Sequence, residues 1–273
     1  MIKNIMSVDL EDYYVRSPNE EWDSCESRIL ESCKTLLELF KKYSVRATFF
    51  TLGYVADRHP ELIEEIVKQG HEIASHGYFH LEVKKIGQEK FEEDLVRSLN
   101  TLKKLSGENL LGYRAPRFSI DENSFWAFPI LKKYLKYDSS IFPVNYTEYG
   151  ISNAPTKIYQ ISDSNPLEED NSSNFWEVPL ATLHVPGLGN FPVAGGFYLR
   201  FLPISIIKYG INKINKSGLG ATCYIHPHDL DPQKPKLVGY PWHVYWNLRG
   251  SAKKLESLLK NFKFHSVRDE LSL

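Results

Sequence analysis

Apolar positions along the chain switch repeatedly between two periods. Residues 2–9, IKNIMSVD, are a short apolar run ending in acidic residues, the signature of a strand. From Ser27 to Tyr43, Ile29, Leu30, Cys33, Leu36, Leu37 and Phe40 recur at helical spacing. Val45 to Leu52, VRATFFTL, is β-branched and aromatic and closes on Gly53, which predicts a buried strand. Pro60 opens and Gly70 stops a helix through Ile63, Ile66 and Val67; proline lacks only a donor that a first helical turn leaves unpaired. HEIAS follows as a strand that delivers Ser75 and His76 at its end. A third helix runs from about Gln88 to Leu105, with Phe91, Leu95, Leu99 and Leu102 on one face and Gly107 beyond. LLGYRAP is the next strand, residues 122–135 are helical in pattern with Pro129 expected to kink them, and residues 137–141 form a short strand. Residues 145–174, polar and rich in Asn, Ser and Pro, predict an excursion with little regular structure. WEVPLATL and GATCYIHP are later strands around a helix near 203–217, and a helix at 251–262 followed by KFHSV completes the pattern.

Strand and helix alternate with no linker between halves and no internal repeat. This predicts a single α/β domain with a parallel sheet, open or closed into a barrel. The polar clusters fall at C-terminal strand ends, the edge where α/β proteins place their sites. A formal net charge of -1 gives no basic excess, so a nucleic-acid partner is disfavoured. The 16 Tyr, 15 Phe and 5 Trp suit stacking on sugar faces and an ordinary aromatic core alike. Cys25, Cys33 and Cys223 form no C-x-x-C pair and argue against a disulfide framework. No run is long and apolar enough for a membrane span, and the N-terminal residues do not read as a signal peptide, so a cytoplasmic location is expected.

Four clusters could carry chemistry. SVDLEDYY holds Asp9, Glu11 and Asp12; on a strand, 9 and 11 share a face and 12 lies at the turn. Three carboxylates this close raise one another's pKa unless a cation is near, which suits a metal ligand beside a general base. SHGYFH places His76 and His80 four apart, on one face if the segment turns helically, and two imidazoles with a carboxylate make a hydrolytic metal set, zinc first. In YRAPRFS, Arg114 could hold a carboxylate ionised, and the N–H of Arg117 or Phe118 could face an oxyanion. CYIHPHDLDP carries His226 and His228, with His226 the acid candidate and Asp138, in YDSS, a carboxylate that could orient it.

In this order the clusters resemble the motifs of the polysaccharide deacetylases of the NodB-homology type (carbohydrate esterase family 4). SVDLED, SHGYFH, YRAPRF, YDSS and YIHPH stand where that family has an acidic pair, H-[ST]-x-x-H, R-x-x-[aromatic], an Asp-containing motif and a late Leu/Ile-x-His. VDLEDYY, YDSSIFP, PVAGGFYLR and IHPHDLDPQKPK are similar to a subgroup tied to exopolysaccharide gene clusters, near the allantoinase-like and peptidoglycan deacetylase branch. The resemblance implies a distorted (β/α) barrel of about seven strands over residues 1–273, with a subgroup-specific part from about 185 to 273. It implies Asp9 as general base, Arg114 holding it, His76 and His80 as metal ligands with Glu11 or Asp12, His226 as general acid and Asp138 orienting it. The family's adjacent Asp-Asp is D-L-E-D here, and Arg117 stands where an aromatic is usual. The implied reaction is metal-dependent hydrolysis of an N-acetyl group on a glycan amino sugar. An allantoinase-like amide hydrolase and a catalytically silent carbohydrate-binding scaffold are the alternatives. Oligomeric state is left open.

Overall fold

The structure, a computed structural model, describes residues 2–146, 149–187, 189–193 and 195–273. Thr147 and Glu148 of the expected excursion, and Ala194 of PVAGGFYLR, lie outside the described residues. β1 (Lys3–Leu10) leads to α1 (Ile29–Lys42), and β2 (Thr48–Thr51) to α2 (Gly53–Arg58) and α3 (Pro60–Lys68). β3 (Glu72–Ser75) precedes α4 (Val83–Ile86) and α5 (Gln88–Ser106), and β4 (Gly112–Tyr113) precedes α6 (Ala127–Tyr134). Then come β5 (Tyr137–Asp138), β6 (Tyr159–Gln160), β7 (Trp176–Glu177), and the hairpin of β8 (Thr182–Val185) and β9 (Gly189–Pro192). α7 (Gly196–Phe201), α8 (Ile204–Lys216), β10 (Thr222–Ile225), α9 (Leu248–Asn261), β11 (Lys263–His265) and α10 (Val267–Leu271) complete the chain.

The main sheet runs β10-β1-β2-β3-β4-β5-β7-β6, parallel throughout except for β6 against β7, with β11 paired to the start of β1. It is a curled half-barrel of the expected α/β kind, with eight strands along its path where about seven were anticipated. Beyond β7, the Ala181 N–H donates to the Thr222 carbonyl at 3.0 Å, so the chain there meets β10 at the opposite edge. The excursion supplies β6, an antiparallel strand at the sheet edge. Pro179 removes a donor and separates β7 from β8 within WEVPLATL. Pro129 is the third residue of α6, where no N–H is required, so the helix accommodates it.

Period-2 alternation sorts the side chains of β1. Met6, Val8 and Leu10 join the outer core with Cys33, Leu36 and Phe40 of α1, whereas Ile5 packs inside with Phe50, Ala74, Tyr137 and Val178. Asp9 therefore emerges on the inner face. Low in the barrel, Glu72 accepts from Thr48 Oγ1 (2.5 Å), the Tyr137 hydroxyl (3.0 Å) and the backbone N–H of Arg268 (2.9 Å). This buried carboxylate fastens the first turn of α10 to the sheet.

On the outer face, Asp138 and Glu177 are direct register partners and both are fully buried. Asp138 accepts from the Ser140 N–H (2.8 Å) and hydroxyl (2.7 Å), and Glu177 Oε1 from the Ile141 N–H (3.0 Å). Glu177 Oε2 has no donor partner among the described residues. Burial, and then the Asp138 charge, hold the Glu177 carboxyl well above its usual value, so it keeps a proton that it shares with Asp138. A raised folded-state pKa contributes stability that is complete below about 4.5, the unfolded value, and is lost as pH rises through the folded value. Glu177→Gln, with a permanent N–H donor in place of that proton, should lose less melting temperature than the wild type as pH rises. Parallel pH–melting curves for the two proteins would show that no shared proton exists.

Candidate active site

The C-terminal ends of β1, β3, β4 and β10 converge on a cavity of about 480 Å³ lined by Asp9, Glu11, His76, His80, His226 and His228, among others. Beneath it lies Arg114, with no exposed surface. Its guanidinium donates to Asp9 Oδ1 (2.7 Å), Ser7 Oγ (2.9 Å), Ser139 Oγ (2.8 Å) and the Ser139 carbonyl (3.1 Å), and it lies 4.0 Å from the Phe50 ring centroid. The positive charge is satisfied on all sides, and one oxygen of Asp9 is fixed while the other faces the cavity.

Of the two acidic residues that follow Asp9, Glu11 is the one that meets the histidines. Its Oε2 lies 2.9 Å from His80 Nε2 and 3.6 Å from His76 Nε2. Asp12 turns away: its carboxylate accepts from Tyr13 N (2.8 Å), Ser27 Oγ (2.7 Å) and Arg28 N (3.0 Å), tying the loop after β1 to the start of α1. Burial raises the Asp12 pKa, outweighing the hydrogen bonds from Ser27, Tyr13 and Arg28. His76 and His80 are brought together by a bent loop rather than the anticipated helical turn. Gly77 at φ 77° and His80 at φ 56° make the bend, and Asp94 of α5 holds it by accepting from Tyr78 N (2.8 Å) and Phe79 N (3.1 Å).

The donor set fits a divalent metal. His76 Nδ1 donates to the Arg114 carbonyl at 2.7 Å, which leaves the Nε2 lone pair directed at Glu11. His80 and His226 hold Glu11 ionised against the penalty of burial, so the pocket already favours a carboxylate among cationic partners. A second group, Glu11 with His226 and His228, shares the same carboxylate. It suits a cation less well, because the Lys234 ammonium lies 3.3 Å from His228 Nδ1. Burial and then Lys234 lower His228 to about 4.

Asp138 does not orient His226. It is in register with Tyr113, whose ring packs on Phe91 of α5, and so points to the outer face, opposite Arg114 and the cavity. The residue in that place is Asp229, one turn beyond His226: its Oδ2 lies 2.8 Å from His226 Nδ1, and its Oδ1 accepts from Arg200 Nε at 2.7 Å. Burial opposes a charge on His226, but Asp229, Glu11 and Asp9 outweigh it and raise the pKa to about 9. His226 Nε2 then faces Asp9 Oδ2 at 3.8 Å and Glu11 Oε1 at 3.7 Å as a protonated ring. Neither Asp229 nor Arg200 was singled out from the sequence. The i,i+3 spacing in HPHD, a capping turn after a strand, was the available signal. Of the two oxyanion donors considered, the Phe118 N–H is used within its own turn, donating to the Ala115 carbonyl. The neighbouring Arg117 has φ 55° and its side chain donates to Glu82.

Residues 22–131 match the family described as polysaccharide deacetylase, and residues 139–272 match a domain of unknown function, DUF3473. The peptidoglycan deacetylase of Helicobacter pylori is 30% identical over 199 residues, covering 71% of this chain and 60% of its own length. A protein described as a polysaccharide deacetylase from Mycobacterium smegmatis superposes over 99% of this chain and 88% of its own, with a TM-score of 0.64 at 19% identity. An allantoinase superposes over 98% and 87%, with a TM-score of 0.58 at 17% identity. Residues 22–131 form a polysaccharide deacetylase domain, and the chain has the fold of the NodB-type (β/α) barrels. It spans under two thirds of the length of the Helicobacter relative.

Replacing Arg114 by Met would leave Asp9 buried without its counter-charge. A loss of about 3–5 kcal/mol in unfolding free energy is expected, by urea denaturation, and partial recovery when Asp9→Asn is added.

Proposed function

We propose that this chain removes the acetyl group from an N-acetylated amino sugar within an oligo- or polysaccharide, releasing acetate and a free amine, with zinc as its metal. The observation that carries the reading is the meeting of Glu11 Oε2 with the Nε2 atoms of His76 and His80 beside Asp9 and a protonated His226. Glu11, His76 and His80 would hold the ion, which when bound polarises an acyl oxygen and acidifies water. The polysaccharide deacetylase domain over residues 22–131, and the names of the similar proteins, support an N-acetyl glycan as substrate, with peptidoglycan among the first to test.

The geometry supports a role for each of this chain's own residues. Asp9, pinned at Oδ1 by Arg114, accepts a proton from the attacking water at its free Oδ2. His226 delivers a proton from Nε2 to the departing nitrogen, because a free amine is expelled only once protonated. Asp229 fixes the ring through Nδ1, and against the cost of burial Arg200 and the histidines together keep Asp229 ionised. Asp229 and Arg200 are thus positioning residues. Phe118, Tyr198 and Tyr224 line the walls, giving apolar faces for a sugar ring.

Metal content and acetate release should be measured together, on N-acetylglucosamine oligomers and on peptidoglycan. Wild type should carry stoichiometric zinc and release acetate, His76→Ala should lose both, and Asp9→Asn should keep the metal and lose about 10²–10⁴-fold in turnover. Near-normal turnover by Asp9→Asn would sink the base assignment, and ring-opening of allantoin in place of acetate release would replace the substrate class.

Gly196 gives a more local test. A Cβ there would stand 1.8 Å from Asp229 Oδ2 and 2.9 Å from His226 Nδ1, so Gly196→Ala must displace the pair. Turnover should fall at least about tenfold while zinc content stays unchanged, which separates the acid's support from metal binding.

A further inference from the structure

Large apolar side chains are exposed chiefly in one stretch of the chain. Phe197 and Phe201, one turn apart on α7, are 36% and 50% exposed, and Trp242 and Trp246 are 66% and 51% exposed. They form one patch. The two phenylalanine rings stack at 5.4 Å, the two tryptophans meet edge to face at 5.8 Å, and the His243 ring joins them, 5.6 Å from Phe197 and 6.0 Å from Trp242. Phe201 and Trp246 also share a surface groove with Lys254. The patch is held rigidly, since Arg200 Nη1 donates to the His243 carbonyl (2.6 Å) and Lys254 Nζ to the Leu202 carbonyl (2.8 Å). Phe197 and His243 belong also to the cavity wall, so the patch is continuous with the mouth of the site.

The charge around it is one-sided. From Val178 to Leu255 the chain has nine Lys and Arg and only two acids, Asp229 and Asp231, in a protein whose net charge is -1. Both acids are buried and paired, with Arg200 and Arg28. Lys236, Arg249 and Lys253 are exposed, the last two on the first turns of α9, just after Trp246.

We propose that this face docks on an anionic lipid bilayer, with Phe197, Phe201, Trp242 and Trp246 entering the headgroup region and Lys236, Arg249 and Lys253 facing anionic headgroups. Contiguous exposed rings on a protein surface mark an interaction site. Exposed tryptophan and phenylalanine in a stretch that also carries exposed lysine and arginine, and whose two acids are buried, form the composition that rests at a membrane interface. A glycan shelf is less well matched: Trp242 and Trp246 stand at 86° and offer no continuous flat face, and the stretch supplies no free carboxylate for sugar hydroxyls. Docked this way, the cavity mouth faces the bilayer, where a glycan carried on a lipid would be presented; that consequence alone rests on the deacetylase reading.

The test is flotation of the whole chain with phosphatidylcholine vesicles, with and without phosphatidylglycerol, alongside tryptophan emission. Wild type should float only with the anionic vesicles, with a blue shift, and salt should release it. The Trp242→Ala/Trp246→Ala variant should partition at least about tenfold less. Arg249→Gln/Lys253→Gln, which removes no packing and so guards against misfolding of the first variant, should partition about fivefold less per charge. No flotation, or equal flotation with neutral vesicles, overturns the proposal. So does saturable quenching of tryptophan by N-acetylglucosamine oligomers without lipid binding, which would make the patch a glycan subsite. A dimer in solution that the tryptophan variant dissolves would assign it to a second copy of the chain. Acetate release on soluble oligomers is read separately, so loss of docking and loss of activity are distinguishable.

Discussion

A guanidinium with no exposed surface, in the middle of a half-barrel, is tolerable only if its N–H groups find acceptors and its charge has a partner. Arg114 pairs its charge with Asp9 and gives four of its five N–H groups acceptors by drawing on three strands: Ser7 and Asp9 of β1, its own position at the end of β4, and Ser139 just after β5. Its backbone carbonyl takes the His76 Nδ1 proton. One residue thereby fixes the Asp9 carboxylate, sets the tautomer of the first imidazole and joins the strands that carry both. The rest of the site is arranged around that constraint. Glu11 leans to the histidines because Asp9 is already taken, and His226 stays protonated because Asp229, Glu11 and Asp9 together outweigh its burial.

The same logic recurs at each depth of the barrel. Low in the interior, Glu72 is satisfied by a hydroxyl, a phenol and the first turn of α10. On the outer face, Asp138 and Glu177 have no cation to pair with and manage their burial with a shared proton. At the top, Asp229 is held by Arg200 and His226. Four buried acidic sites are thus solved four ways, and those solutions decide which carboxylates can do chemistry.

Much of this was legible in the sequence because it follows from period. Alternation put Asp9 and Glu11 on one face of a strand and Asp12 beyond it, and the helical repeats through Phe40 and Leu102 marked the covering layer. The polar clusters at strand ends located the opening. What escaped were contacts that depend on face and register between distant strands. Asp138 was assigned to His226 from motif order, yet its pairing with Tyr113 sends it outward, a fact only the sheet register contains. Asp229 escaped although it stands three residues from His226, because the spacing of HPHD marks a partner only once the turn after the GATCYIHP strand is recognised. The loop from His76 to His80 depends on Asp94, eighteen residues beyond His76 and on another element, so no local reading of SHGYFH could supply it.

The pairing of β1 bears on how the molecule is made. This first strand is central, lying between β10 and β2, with β11 on its opening residues. During synthesis its hydrogen-bonding edge toward β10 must wait for residues some two hundred positions later, as the Asn4–Ala221 contact shows. Until then it is an exposed apolar strand edge, the kind that captures other chains. Long-range closure of this sort slows folding. It also means that Asp9 and His226, which face each other in the finished site, meet only once β10 has been made, so a chain stalled short of β10 holds Asp9, Glu11, His76 and His80 without His226.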